Sequence, residues 1–475
     1  MDRTRRWLLA TLGGTGTGAL GGCLRLTDDG GEATQSGSTA TPSPGQSTTE
    51  RTEGTDTETE TGSPSGEATI SCAADAQPPT GSERFTHPFG DSRNSFAVPD
   101  RAAPAAQPCL AWTQPLSVQA NRVFTGPVVT GQHVVSYRSG LLRARNRTDG
   151  TVAWDGAETA AGGLRRIQPI GMPDGTLLVY GQNDRTDDLV LVAVDDAGNA
   201  VRSEVVYEAS GPNDAQPRAG RVVGDRAYIV IGDRANGETR VLAYDWSGGT
   251  VVWDETIGGI DLRLEDMGAD GDTVVITSDE TVEGEDNVWA LASDDGSVRW
   301  STRLPIGEGV PVLDESNVYL PVGGYDSESI ANQVRALSKA TGDVAWTFEV
   351  QNPPRTGVSA DGERVYLVAD NQLYAIDPGT GTPEWRFTPE TGPAIRGDAN
   401  SLPIVCRDTL LLGSSFADEE PARVRAVNRE TGELRWSFGV DGWSVQSPIP
   451  VDGALYTVVE DRSEEETQAV LYSFY

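Results

Sequence analysis

The chain has 475 residues with 71 acidic and 37 basic side chains, a formal net charge of −34, 55 glycines, 28 prolines and 11 tryptophans. This mixture suits many short strands and turns rather than long helices, and so acidic a surface excludes nucleic acid as a partner, because phosphate binding needs a basic face. Beyond the N-terminus no stretch is long and apolar enough to span a bilayer as a helix.

The first residues read as an export address. Arg5 and Arg6 precede a mildly apolar run, Trp7 to Leu20, that ends in Gly21-Gly22-Cys23. The arginine pair looks like a twin-arginine export signal. The Leu-Gly-Gly-Cys ending is similar to a lipobox, whose cleavage would remove residues 1–22 and leave an acylated Cys23. Residues 23–71 follow as a Ser/Thr/Pro/Glu-rich tether with no aromatic residue. Such a segment cannot bury enough apolar surface to order itself, and as a flexible coil it would span roughly 40 Å. Without residues 1–22 the chain retains 70 acidic and 34 basic side chains, and its single lysine is Lys339. An acid-rich, lysine-poor chain resembles proteins of salt-loving archaea, where dense salt screens carboxylate repulsion.

Residues 72–107 form a lead-in, and a repeat occupies residues 108–475. "VRAVNRETGELRWSF", Val424 to Phe438, recurs as "VRALSKATGDVAWTF" at Val334 to Phe348 and "LYAIDPGTGTPEWRF" at Leu373 to Phe387. Each copy has period-2 alternation, a glycine where positive φ is cheap and a strand carrying tryptophan. A second pair of runs lies between copies, so each unit supplies four strands, the arithmetic of a propeller blade. Positions 112, 154, 202, 253, 300, 346, 385 and 436 mark eight outer strands. The expected fold is all-β, an eight-bladed propeller closed by pairing the first strand with the last three. Trp112, Trp154, Trp253, Trp300, Trp346, Trp385 and Trp436 should wedge against neighbouring blades. Arg202 stands where the remaining tryptophan would fall, so that blade is expected to dock less firmly. Loops joining second to third strands, and those joining blades, should share one rim, with the Asp-Gly and Thr-Gly turns on the other.

Ala375, Asp377, Thr380, Gly381 and Trp385 carry the pattern Ala-x-Asp-x-x-Thr-Gly-x-x-x-Trp, and "FGDSRNSF", Phe89 to Phe96, looks like a lead-in common beside it. On these residues the chain from 83 onward resembles the pyrroloquinoline-quinone-like propeller repeat proteins, which include periplasmic assembly lipoproteins and archaeal surface lipoproteins. The resemblance implies the fold more than a function. Dehydrogenases of this fold use a calcium held by carboxylate and amide oxygens, a carboxylate base and stacking on the quinone, and many have a vicinal cysteine pair. This chain has no such pair and only two histidines, His87 and His133, which are expected to be structural. Templates for serine nucleophiles, zinc helices, phosphate loops and c-type haem are also missing.

No catalytic residue, metal ligand or cofactor is therefore assigned, and the chain is not read as an enzyme. In an exported setting Cys72 and Cys109 could form a disulfide, leaving Cys406 a buried thiol. Asn146-Arg147-Thr148 is an N-glycosylation acceptor sequence. Arg165, Arg166, Arg263, Arg355, Arg396 and Trp443 should gather on the loop rim, either as an interaction surface or as charges neutralised by local carboxylates. The reading is a monomeric scaffold for protein partners at the cell surface, anchored by lipid to the outer face of the cytoplasmic membrane. Its alternatives are a quinone- and calcium-dependent dehydrogenase and a carbohydrate- or polymer-binding surface protein.

Overall fold

Period-2 alternation becomes a series of four-stranded antiparallel sheets. The computed structural model describes residues 71–73, 81, 83–87, 90–119, 127–138, 141–156, 163–259, 264–278, 286–306, 310–323, 332–352, 358–390, 402–414, 421–462 and 467–475. Arg5, Arg6 and Cys23 lie outside these residues. Among the described residues no helix is long and apolar enough to cross a membrane.

There are eight sheets. Blade 1 opens with Val128–Val129, blade 2 with Leu164–Gly171, blade 3 with Ala215–Val223, blade 4 with Leu264–Ala269, blade 5 with Val312–Leu313, blade 6 with Ser359–Ala360 and blade 7 with Ile404–Val405. These opening strands pack against one another from blade to blade and line the central channel. Blade 8 joins Ile449–Val451 to Ala454–Arg462 and Thr467–Phe474, and its outer strand is Leu110–Gln119 from the other end of the chain. Leu110 pairs with Phe474 and Thr113 with Tyr472, so the ring closes through backbone hydrogen bonds and leaves no inter-terminal edge.

The repeat tryptophans follow one register rule. Trp154, Trp253, Trp300, Trp346, Trp385 and Trp436 each face an alanine on the strand beside them, namely Ala144, Ala243, Ala290, Ala336, Ala375 and Ala426. The small partner leaves room for the indole to lean across the seam onto the turn of the next blade. There the ring covers a glycine: a Cβ added at Gly381, whose φ is 71°, would lie 2.7 Å from Trp346 Cδ2. The indole N–H also donates to a carbonyl of that turn, at 2.8 Å from Trp346 to Pro378 and 2.8 Å from Trp300 to Lys339. Blade 8 has no such turn, because its chain is discontinuous there, and Trp436 donates instead to Pro104 of the lead-in at 3.0 Å.

Arg202 departs from the expectation of a loosely docked blade. It faces Ala193 in the tryptophan register, its guanidinium donates to the carbonyl of Trp246, and its Cζ sits 4.4 Å from the Trp246 ring centroid. Hydrogen bond and cation–π contact replace the indole's two contacts. By contrast, Trp385 keeps its ring on Gly432 but finds no acceptor for its indole N–H.

Buried ion pairs reinforce three seams. Arg147 reaches Asp452 at 2.9 Å, Lys339 reaches Asp270 at 2.7 Å and Arg429 reaches Asp361 at 2.8 Å. Each cation stands three residues before a turn glycine, and each carboxylate belongs to the inner turn of the preceding blade. The chain's single lysine is thus a seam residue.

Candidate functional site

A channel lined by eight inner strands needs something to fill it or it collapses or floods. Here the chain fills it with its own lead-in. Phe85 and Val129 exchange backbone hydrogen bonds in blade 1, and Ala269 of blade 4 donates to Ser92 at 2.8 Å. Leu313 of blade 5 donates to Arg93, Ala360 of blade 6 to Ser95 and Val405 of blade 7 to Phe96, at 3.0, 2.9 and 2.9 Å. Residues 85–87 and 90–98 therefore act as a central pin that pairs with five blades. Ser71 bridges Leu110, and Cys72 is disulfide-bonded to Cys109, so the stretch entering the pin is fastened to the closing blade. Cys406 is a buried free thiol whose pKa burial pushes far up.

Asn94 is the pin's central polar contact. It is fully buried, and its Nδ2 donates to the carbonyls of Met267 and Pro311, each at 2.9 Å. Its Oδ1 accepts from Arg221 Nε at 3.0 Å, and Arg221 Nη2 donates to Asp266 at 2.6 Å. Burial raises the Asp266 pKa above the usual carboxylate value in spite of the guanidinium beside it. His87 is also buried, and its pKa is lowered, first by burial and then by the Arg221 charge. His133 is shifted down as well, mainly by burial. A depression of about 460 Å³ opens beside the pin on the turn face, lined by Thr86, His87, Asp91, Gly171, Val222 and Asp225 among others.

Among the described residues no three His, Cys, Asp or Glu side chains come together to hold a metal ion. The Asp266 carboxylate beside the pin is engaged by Arg221 and by the backbone N–H of Met267.

On the loop face the expected rim is only partly in view. Arg263, Arg355 and Arg396 lie outside the described residues. Trp443 is half-buried on the connection between blades 7 and 8, its backbone N–H donating to Glu460 at 2.9 Å. Arg165 is paired with Asp187 and donates to Gln182 Oε1 at 3.0 Å. Its neighbour Arg166 is exposed and has no carboxylate partner among the described residues. Asn146 belongs to the other face, where its Nδ2 donates to Thr151 Oγ1 at 2.9 Å. It occupies the turn position at which Asp377 and Asn428 accept backbone N–H bonds in other blades.

The family model described as outer membrane protein assembly factor BamB matches residues 102–302 and 284–440. Outer membrane protein assembly factor BamB of Yersinia pestis is 25% identical over 224 residues, 45% of this chain and 51% of that protein. Serine/threonine-protein kinase AfsK of Streptomyces griseus is 30% identical over 187 residues, 36% of this chain and 21% of that protein. The matched stretches thus span about half of one relative and a fifth of the other. Among solved structures, quinohemoprotein alcohol dehydrogenase from Comamonas testosteroni aligns with a TM-score of 0.56 at 14% identity, covering 84% of this chain and 81% of that one. At that identity the likeness is one of fold.

Proposed function

Because the chain belongs to the family described as outer membrane protein assembly factor BamB, we propose that it is a scaffold that binds partner proteins through its loop face. The observation that carries the reading is the pinned channel. Its axis is filled by residues 92–98 with their polar groups paired, so binding chemistry is left to the rims. In this proposal Arg5 and Arg6 direct export, Cys23 carries the lipid that holds the protein at the outer face of the cytoplasmic membrane, and residues 24–71 are the tether. The propeller works as a monomer without a resident cofactor, and its acidic surface is suited to high salt.

Capture from native membranes tests the scaffold. Trp443→Ala combined with Arg396→Ala should lose partner proteins without lowering the melting temperature, because loop residues contribute little to the blades. Unchanged capture would remove the rim from consideration. Cys23→Ser should move exported protein into the medium, and retention after a high-salt wash would refute the anchor. The dehydrogenase reading would prevail if pyrroloquinoline quinone with calcium bound stoichiometrically and supported dye reduction by an alcohol or aldose.

A further inference from the structure

Blades 2 and 3 differ from most others in having long inner strands, Leu164–Gly171 and Ala215–Val223, where blades 1, 5, 6 and 7 have two-residue ones. Both are interrupted near the loop face. In blade 2 the pairing register slips between Arg165 and Gln168, and in blade 3 between Pro217 and Ala219, so Arg166 and Arg218 are residues of β-bulges. Bulges re-aim side chains that regular pairing would turn aside. Arg166 moreover adopts φ 54°, a left-handed backbone that a non-glycine residue holds only at a cost of order 1 kcal/mol.

The two bulges adjoin. Gln168 Nε2 donates to the carbonyl of Arg218 at 2.8 Å. Two residues before Arg218, Gln216 sets the end of its carboxamide 2.9 Å from Nε of Arg234, at the turn following the second strand of blade 3. Arg166, Arg218 and Arg234 thereby converge, and each of Arg166 and Arg218 has its pKa lowered, first by burial and then by the positive charge of its neighbours. Arg165 beside them is neutralised by Asp187. None of the three has a carboxylate within ion-pair distance among the described residues, and the Nε of Arg218 is buried with no acceptor. Among the described residues of a chain with 71 acidic side chains, these three adjoining arginines have no carboxylate counter-ion. A buried donor left unmade is destabilising unless something supplies an acceptor.

We propose that Arg166, Arg218 and Arg234 form a receptor for carboxylates at the loop-face mouth between blades 2 and 3, and that its occupant is an acidic peptide segment of a partner protein. Planar guanidinium groups chelate carboxylates in a fork geometry that ammonium groups do not match. The receptor's positive charge on a negatively charged protein would give an acidic segment a place to dock in register. The proposal rests on the scaffold reading and names the chemistry of its partner.

The test uses a fluorescein-labelled hexaglutamate peptide, the purified full chain and fluorescence anisotropy at fixed salt, with inorganic phosphate and hexalysine titrated in parallel. The expected result is saturable hexaglutamate binding that weakens about tenfold or more in Arg166→Gln/Arg234→Gln, as loss of two charged contacts would give. The melting temperature should not change, since both side chains are exposed. Arg218→Gln should weaken binding similarly, and Arg218→Lys should not restore it. Absence of hexaglutamate binding, equal binding by the double variant, or binding of phosphate but not peptide would overturn the proposal. The scaffold reading is judged separately: intact peptide binding with no protein captured from membranes refutes the scaffold, whereas capture undiminished in Arg166→Gln/Arg234→Gln refutes only this receptor.

Discussion

Replacing Asn94 is the sharpest test of the pinned channel. Asn94 is fully buried at φ 57°, and its amide joins the pin to blades 3, 4 and 5 through Arg221, Met267 and the carbonyl of Pro311. In Asn94→Ala two carbonyls and one guanidinium N–H lose their partner. At about 1–1.5 kcal/mol per hydrogen bond, the charged one at the upper end, the three come to about 4 kcal/mol. Alanine tolerates the left-handed backbone less well than asparagine and adds about 1 kcal/mol. Asn94→Gly loses the same bonds without that strain, so it should be the milder change by about 1 kcal/mol. Urea denaturation at fixed KCl reads both differences from the midpoints, given an unchanged slope. Hydrogen exchange should accelerate in Leu264–Ala269 and Val312–Leu313, the strands that lean on the pin. A loss below about 1 kcal/mol in Asn94→Ala, well short of one orphaned buried group with its bonds, would show that the segment lies in the channel without supporting it.

Three further outcomes follow from the same physics. Gly381→Ala should destabilise by about 2–4 kcal/mol, because its methyl would overlap the Trp346 ring at positive φ; Gly224→Ala, also at positive φ but with nothing within 4 Å, should lose only about 1 kcal/mol, and equal urea midpoints would refute the ring contact. Arg202→Ala should lower stability by about 1–3 kcal/mol through loss of the Trp246 contacts, whereas Arg202→Trp should restore it; an alanine variant as stable as the parent would refute the docking role. Asp377 is held below the usual carboxylate pKa by the Thr380 hydroxyl and then by the Thr380 N–H, and Asp195 and Asp245 are lowered by bonds in their own turns. Stability from such groups is present above the unfolded value of about 3.9 and is lost as pH falls through the lower folded value. Asp266, shifted the other way, is relieved over its own range, so the melting temperature should drop below about pH 4 but less steeply in Asp377→Ala; parallel profiles would refute the turn assignment.

What the sequence determined by itself is what repeats locally. Four strands per unit, the outer-strand tryptophans and closure by Leu110–Gln119 were legible because period-2 alternation and a turn glycine act over a dozen residues, and seven copies carry the same message. The turn and loop rims follow from that strand order. The tertiary structure decided everything that depends on contact across the ring. "FGDSRNSF" signals a lead-in, yet nothing in it says that Asn94 will meet Met267, Pro311 and Arg221, residues more than a hundred positions away. Arg202 looks like a defect until Trp246 of the next blade is placed under it. Arg147, Lys339 and Arg429 precede turn glycines in plain view, but their carboxylates come from the neighbouring blade. Arg166 stands out in the sequence as a loop arginine, whereas Arg218 and Arg234 do not, because two bulges and a glutamine amide bring them beside it. A one-dimensional pattern records side-chain type and strand face; which charge meets which partner is fixed only when closure of the ring sets distances between residues that the chain keeps far apart.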